Sequence, residues 1–408
     1  MIDIRELRQN PDPYKKSATL RGFDTAIIDQ TLVADASYRQ LLPKVEAMRS
    51  ELNVKGKPTA AELTVLQGKK AKLDQAQTEL RELETSFLDL CKQIPNLMAD
   101  GTPEGGEDAS REERHWGEPV ETDFEAKDHL AIAESRDWLD FERGAKVAGA
   151  KFYYLKGAAV RLEMAVMKLA MDRLEGAGFT LMSVPHLVST RIAEGAGFLP
   201  RGEEPQIYRV EDQDLSLIAT AEIPLTGYHA DEILKHDSLQ YAALSPSYRL
   251  EAGAYGKHSR GLYRVHQFDK LEMYVYSPPE ESEAWLEKIV RLEEDICQAL
   301  EIPYRVVRIA TGDMGAPHYK KYDLEYWSPV DRAYREITSA SNCTDYQARR
   351  LNIRMRDAEG KIGVAHTLNG TAIAFSRVFI ALLENQQQAD GSIRVPEALV
   401  PYYGGNVL

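Results

Sequence analysis

The chain has 408 residues, 43% of them hydrophobic, and its 50 basic against 64 acidic residues give a net charge of -14. That length and apolar content support two packed domains, and the charge excludes a broadly basic nucleic-acid-coating protein, so any RNA must be held by a local basic patch. Cys91, Cys297 and Cys343 lie far apart with no CxxC pair, which supports neither a disulfide framework nor a Cys-based zinc site and leads us to expect a reduced, cytoplasmic compartment.

In chain order, Met1-Ile2-Asp3-Ile4-Arg5-Glu6 introduces acids at once and is unlike a signal or transit peptide, and no later run approaches transmembrane length. A stripe through Ile28, Leu32, Leu42, Val45, Met48 and Leu52 predicts a first long helix. Pro43 falls inside it, removes a backbone donor and is expected to kink or break it, at roughly 3 kcal/mol. After the turn-rich Asn53-Val54-Lys55-Gly56-Lys57-Pro58, Leu63, Leu66, Leu73, Leu80, Leu83, Phe87, Leu90 and Ile94 follow a heptad stripe that Pro95 ends, with Lys70 and Gln77 in its two gaps. Two helices joined by a short turn are antiparallel neighbours, so residues 1–98 read as a helical hairpin, a coiled-coil arm. The span 44–72, around its tip, holds seven basic residues (Lys44, Arg49, Lys55, Lys57, Lys69, Lys70, Lys72) against three acidic ones. Such an excess suits phosphate contacts, although a solvated coiled-coil face has the same look.

Residues 99–127 read as an acidic linker, since 99–125 carry ten acids and two basic residues among Gly and Pro. From 128 to 408 the pattern is mixed. An almost wholly apolar helix begins at Ala158, strand-like runs recur at 179–184, 239–249, 262–276, 304–309, 322–327 and 351–356, and there is no regular βαβ alternation. The fold class expected is α+β, an antiparallel sheet flanked by helices. No GxxxxGK[ST] motif occurs, so a P-loop is unsupported.

Four constellations carry chemistry. The first is Thr220-Ala221-Glu222 after the apolar Leu217-Ile218-Ala219; alone it reads equally as a strand end with an exposed acid. The second starts at Arg249-Leu250-Glu251, passes a loop holding Lys257, His258 and Arg260, and ends on Arg264-Val265-His266-Gln267-Phe268-Asp269-Lys270-Leu271-Glu272. Strand alternation puts Arg249 and Glu251 on one face, and a planar guanidinium binds carboxylate or phosphate in bidentate fashion. The third is Glu336-Ile337-Thr338-Ser339-Ala340-Ser341-Asn342-Cys343-Thr344-Asp345, leading into Tyr346-Gln347-Ala348-Arg349-Arg350. The fourth is Asn369-Gly370-Thr371-Ala372-Ile373-Ala374-Phe375-Ser376-Arg377, a strand end followed by a helix whose free N–H groups favour anions.

In this order the four resemble the signature segments of class II aminoacyl-tRNA synthetases, in the version found in the seryl-tRNA synthetases of bacterial type. The resemblance implies a class II catalytic domain over 128–408 and activation of serine with ATP and Mg²⁺, without zinc, followed by transfer to serine tRNA. It implies that Thr220, Ala221, Glu222, Arg249, Glu272, Asn342 and Thr371 bind serine, with Glu222 on the ammonium. ATP falls to Arg249, Leu250, Glu251, Val265, Glu336, Ile337, Thr338, Ser339 and Arg377, with Arg249, Glu251 and Arg377 catalytic and Glu336 and Ser339 holding Mg²⁺. It also implies a homodimer through the helix at Ala158 and the strand after it, and an arm that grips the tRNA. Thr371, Ala372 and Phe375-Ser376 depart from the family's usual NGSG-L-A-V-G-R. Two alternatives remain at this stage: a paralogue that adenylates an amino acid for another acceptor, and a non-catalytic RNA binder.

Overall fold

A computed structural model describes residues 1–52, 60–198, 207–251 and 261–408, the side chains of 60–62 excepted. The chain forms two units, Met1–Leu97 and Met98–Leu408. The first contains α1 (Ile4–Gln9), α2 (Asp12–Leu20), α3 (Ala26–Glu51) and α4 (Ala60–Gln93). The two long helices pack on one another as the apolar stripes require, around Val45, Leu73 and Ala76. Ile2, Leu7, Tyr14, Ala18, Ile28 and Ile94 form a second cluster with α1 and α2. The turn at 53–58 lies outside the described residues.

Pro43 does not break the first helix: α3 runs through it from Ala26 to Glu51. Pro43 and Arg39, whose carbonyl loses its helical partner, are both exposed, so water can satisfy that carbonyl while Val45 and Leu41 pack on the arm's inner side. Lys44, Arg49, Lys69, Lys70 and Lys72 are exposed, and Lys69 pairs with Glu51 at 2.9 Å. Lys55 and Lys57 lie outside the described residues.

The second unit is built on an eight-stranded sheet: β1 (Arg111–Trp116), β2 (Thr180–Met182), β3 (Leu239–Tyr248), β4 (Gln267–Ser277), β5 (Tyr304–Arg308), β6 (Lys320–Ser328), β7 (Ala333–Thr344) and β8 (His366–Ala374). Their spatial order is β1-β5-β6-β7-β8-β4-β3-β2, antiparallel throughout except for β2 beside β3. The acidic stretch expected to be only a linker therefore supplies an edge strand. Charge misled the reading because an edge strand needs only backbone pairing on one side, and Arg111-Glu112-Glu113-Arg114 gives it the charged surface that discourages further pairing. The run expected as a strand at 351–356 is a strand only at Arg354–Arg356, in a separate three-stranded sheet.

Alternation divides the sheet's two faces. Leu271, Met273 and Val275 of β4 join a core with α5 (Ala158–Gly176), α6 (Ser282–Ala299) and α7 (Phe375–Asn385). Tyr274 and Tyr276 point the other way, into a smaller core with Ile218, Ile223, Leu351 and Ile353. Gly370 lets α6 approach β8: a Cβ there would come 2.2 Å from Ile289 Cγ2. The site lies on the second face, over β4, β7 and β8.

Candidate active site

The strand β3 ends at Tyr248, so Arg249 and Glu251 are not held on one face by strand pleating, as expected. Glu251 instead turns at a φ of +47° as the chain leaves the strand, and both side chains still reach one cavity of about 240 Å³. The Arg249 backbone N–H donates to the His266 carbonyl at 3.0 Å, its Nε donates to the Ala219 carbonyl at 3.3 Å, and its guanidinium lies 5.1 Å over the Phe268 ring. Glu251 pairs with Arg264 at 3.4 Å. Leu250 is half-buried and does not line the cavity, whereas the buried Val265 does. Lys257, His258 and Arg260 lie outside the described residues.

The opposite wall comes from β7 and the start of α7. Arg377, in the first turn of α7, donates from Nη1 to the Glu336 carbonyl at 3.3 Å and lies 5.4 Å over the Tyr263 ring. Glu336 is exposed at the cavity mouth, and although the packed surroundings of its carboxyl push it up by desolvation, Arg377, Lys321, Arg249 and Lys270 together outweigh that and hold the group below the usual carboxylate range. Ser339 lines the same cavity and pairs in register with Asp323 on β6. Lys321 sits 3.0 Å from Asp323 Oδ2, while the buried Oδ1 has no hydrogen-bond partner. Ile337 and Thr338 border the cavity, but the Ile337 side chain joins the helix-side core and the Thr338 hydroxyl donates to Glu293 at 2.9 Å.

Deeper in lie two buried acids. Glu222 opens the short helix Glu222–Gly227 and accepts from Gln347 Nε2 at 2.8 Å and Asn369 Nδ2 at 3.0 Å. It is buried, not the exposed strand-end acid of the plainer reading. Burial first, and Glu272 second, push its carboxyl up to about 7. Burial also raises Glu272, against the pull of its ion pair with Lys270 and a hydrogen bond from Thr220. The Thr220 hydroxyl also accepts the Glu222 N–H at 3.1 Å, Ala221 is fully buried between them, and Thr371 faces Glu272 across β8 and β4. Lys270 is committed to Glu272, and among the described residues no cation forms an ion pair with Glu222.

Asn342 does not join this group. It lies on the helix side of β7, donating to Glu283 of α6 at 3.4 Å and accepting the Thr344 N–H at 2.8 Å. Strand parity is the reason: Ala340, two residues earlier, belongs to the helix-side core. Asn369 occupies the inner position instead. Its signal was available, since on a strand it shares the face of Thr371. Lys270, Phe268, Tyr263 and Arg264 also line the cavity without having been assigned a role. Gln347 reaches Glu222 from the helix Tyr346–Arg350, and no local pattern marks it. Among the described residues no group of three or more His, Cys, Asp or Glu could by itself hold a metal, and no helix is long and apolar enough to cross a membrane.

Two family models match the chain: the seryl-tRNA synthetase N-terminal domain over residues 1–98, and the class II tRNA synthetase core domain (G, H, P, S and T) over residues 208–386. A serine–tRNA ligase of Dictyoglomus turgidum is 47% identical, with 99% of this chain and 98% of that one covered. One from Rubrobacter xylanophilus is 46% identical, with 100% and 99% covered. Among solved structures, a seryl-tRNA synthetase from Pyrococcus horikoshii complexed with ATP superposes with a TM-score of 0.91 at 39% identity, covering 100% of this chain and 99% of that one. A cytoplasmic serine–tRNA ligase from Naegleria fowleri in complex with AMP gives 0.87 at 29%, covering 100% and 98%.

Proposed function

The chain belongs to the seryl-tRNA synthetase family, and we propose that serine activation takes place in the cavity between Arg249 and Arg377, with Glu222 as the serine anchor. The protein is a serine–tRNA ligase: ATP and serine give seryl-adenylate and pyrophosphate, and the seryl group passes to the terminal adenosine of serine tRNA. Matches over the whole chain, arm included, favour that activity over delivery to another acceptor.

One observation carries the assignment: Glu222 is a fully buried acid with two hydrogen bonds and no paired cation among the described residues, at a site with a cationic wall beyond it. An ionised carboxylate so placed favours a ligand that brings its own cation, as the serine ammonium does. Thr220, Glu272, Asn369 and Thr371 then surround the amino acid; hydrogen bonds to the serine hydroxyl reject alanine and glycine, and space rejects threonine.

Arg249 reaches both reactants. Serine's carboxylate attacks the α-phosphorus of ATP, and a guanidinium touching both anions reduces their repulsion and holds the in-line geometry. Glu251 accepts from the adenine amino group. Phe268 and Arg377 border the nucleotide, and Arg377 draws on the negative phosphates from the first turn of α7. A new O–P bond forms, the bond to pyrophosphate breaks, and no protein nucleophile is needed.

Glu336 and Ser339 fit Mg²⁺, which is usually held by one or two protein oxygens together with substrate phosphates. Glu336 is held ionised, and the free Asp323 Oδ1 lies across the strands from Ser339. Glu336 and Ser339 would hold the ion, which would supply positive charge against the ATP phosphates and the leaving pyrophosphate.

The exposed basic residues of α3 and α4 are assigned to tRNA phosphates, with 1–98 as the RNA-binding domain and 128–408 as the catalytic one. A homodimer through α5 and β2 fits the apolar side chains exposed there: Met164 is 59%, Leu181 38% and Val160 36% exposed. The cytoplasm suits such a protein. Serine-dependent ATP–pyrophosphate exchange, with threonine, alanine and glycine as controls, followed by charging of serine tRNA, tests the assignment. Exchange with serine alone, plus charging, is expected; exchange without charging would return the carrier-type reading.

A further inference from the structure

His129 lies outside the cavity, yet it makes a set of contacts that the division of roles above leaves unused. It opens the helix His129–Ser135 and is buried together with Glu384 of α7. Glu384 Oε1 lies 3.2 Å from His129 Nδ1 and accepts the His129 backbone N–H at 3.4 Å, while Oε2 accepts the Ser328 hydroxyl at 2.7 Å. On the far side of the ring, Nε2 accepts the Leu262 backbone N–H at 3.4 Å. Both ring contacts are satisfied together only when the proton sits on Nδ1.

The segment that meets this ring leads directly into the nucleotide wall. Gly261 has a φ of +65°, and a Cβ there would stand 2.4 Å from Nε2, so the backbone is pressed against the imidazole. Tyr263 meets the same ring edge-on at 5.5 Å and shares a hydrogen bond with Tyr326 at 2.6 Å. Its own ring carries the Arg377 guanidinium at 5.4 Å. Tyr263 and Arg377 both line the cavity.

A buried polar pair is a poor source of stability, because apolar residues of the same volume usually serve as well; what it can supply is a fixed direction. We propose that His129, oriented by Glu384 and Ser328, is a positioning residue for the ATP half of the site. Its Nε2 fixes Gly261–Tyr263, and Tyr263 in turn sets the Arg377 guanidinium. This rests on the reading of the cavity as the ATP site.

The test separates the ring's two bonds. In His129→Asn the side-chain amide can keep the contact with Glu384 but cannot reach Leu262. In His129→Gln the carbonyl can replace Nε2 as acceptor. In serine-dependent ATP–pyrophosphate exchange, His129→Asn should raise the KM for ATP about tenfold, the scale of leaving one buried donor unsatisfied, with the serine KM unchanged. His129→Gln should recover most of that loss. Gly261→Ala keeps both side chains of the polar pair but places a Cβ 2.4 Å from Nε2, so it forces the ring and the 261–263 segment apart; it should show the same ATP-selective rise and keeps the test open if His129→Asn does not fold. Equal behaviour of the Asn and Gln variants, parallel shifts in the two KM values, or unmoved ATP constants in all three variants would overturn the anchor alone. A wild-type enzyme without serine-dependent exchange would overturn the cavity's assignment and the anchor with it.

Discussion

Replacing Glu222 by Gln should make the protein more stable and nearly inactive at the same time. Gln keeps an oxygen to accept from Gln347 and Asn369, which both bond the same Oε1, and exchanges the other oxygen and the charge for a neutral NH2 group. Burial moves this carboxyl from an ordinary 4.5 to about 7, so at pH 8 holding it ionised costs the fold roughly 3 kcal/mol. Because the folded-state value lies above the unfolded one, that cost is absent below about pH 4.5, grows as the pH rises and is complete above about pH 7. Glu222→Gln should therefore melt a few degrees above the wild type at pH 8, and the gap should close near pH 5. Serine-dependent exchange should fall about 100-fold or more, since the ammonium loses a buried charged partner worth roughly 2–5 kcal/mol. The assay pairs thermal melts at the two pH values with exchange kinetics over serine concentration. A variant less stable than wild type at pH 8, or one with an unchanged serine KM, would refute the claim that Glu222 is a buried charge awaiting its cation.

For the wild type, protonation of Glu222 should raise the serine KM by up to about tenfold per pH unit below about pH 7, while the ATP KM follows a different profile; pH-dependent exchange kinetics check this. Arg249→Ala should abolish adenylate formation, with losses of about 100-fold or more in single-turnover assays, and retained activity would remove Arg249 from its role. Reversing exposed Lys70 and Lys72 to Glu should weaken tRNA charging, reduce its salt dependence and leave exchange intact; Lys69→Glu, already paired with Glu51, should do less. Met164→Asp should shift a dimer towards monomer in light-scattering measurements, and a wild type that runs as a monomer would remove the interface assignment.

The arm was legible because heptad spacing is local: α3 and α4 pack along part of the stripe that their sequences display, around Val45 and Leu73, while Met48 and Leu63 nearer the tip stay exposed. The motifs were legible as strings, and Arg249, Glu336, Ser339, Thr371 and Arg377 do line one cavity. Errors arose where one non-local fact decides the outcome. Charge made β1 look like a linker, although pairing with β5 needs only its backbone. Pro43 counted against a continuous helix, although an exposed carbonyl loses little when water replaces its partner. Asn342 was drawn into the site by its neighbours in sequence, and strand parity sends it to α6.

Sequence by itself therefore determined the helical arm, the family and most of the residues that meet at the site, because helical period and ordered motifs survive without knowledge of what lies across the fold. Only the tertiary structure decided which face each strand residue takes, that Asn369 and Gln347 hold Glu222, and that His129 stands behind Tyr263. These depend on burial and on partners up to 255 positions away. A carboxylate acquires its charge cost, and an imidazole its direction, only from what the folded chain packs around it.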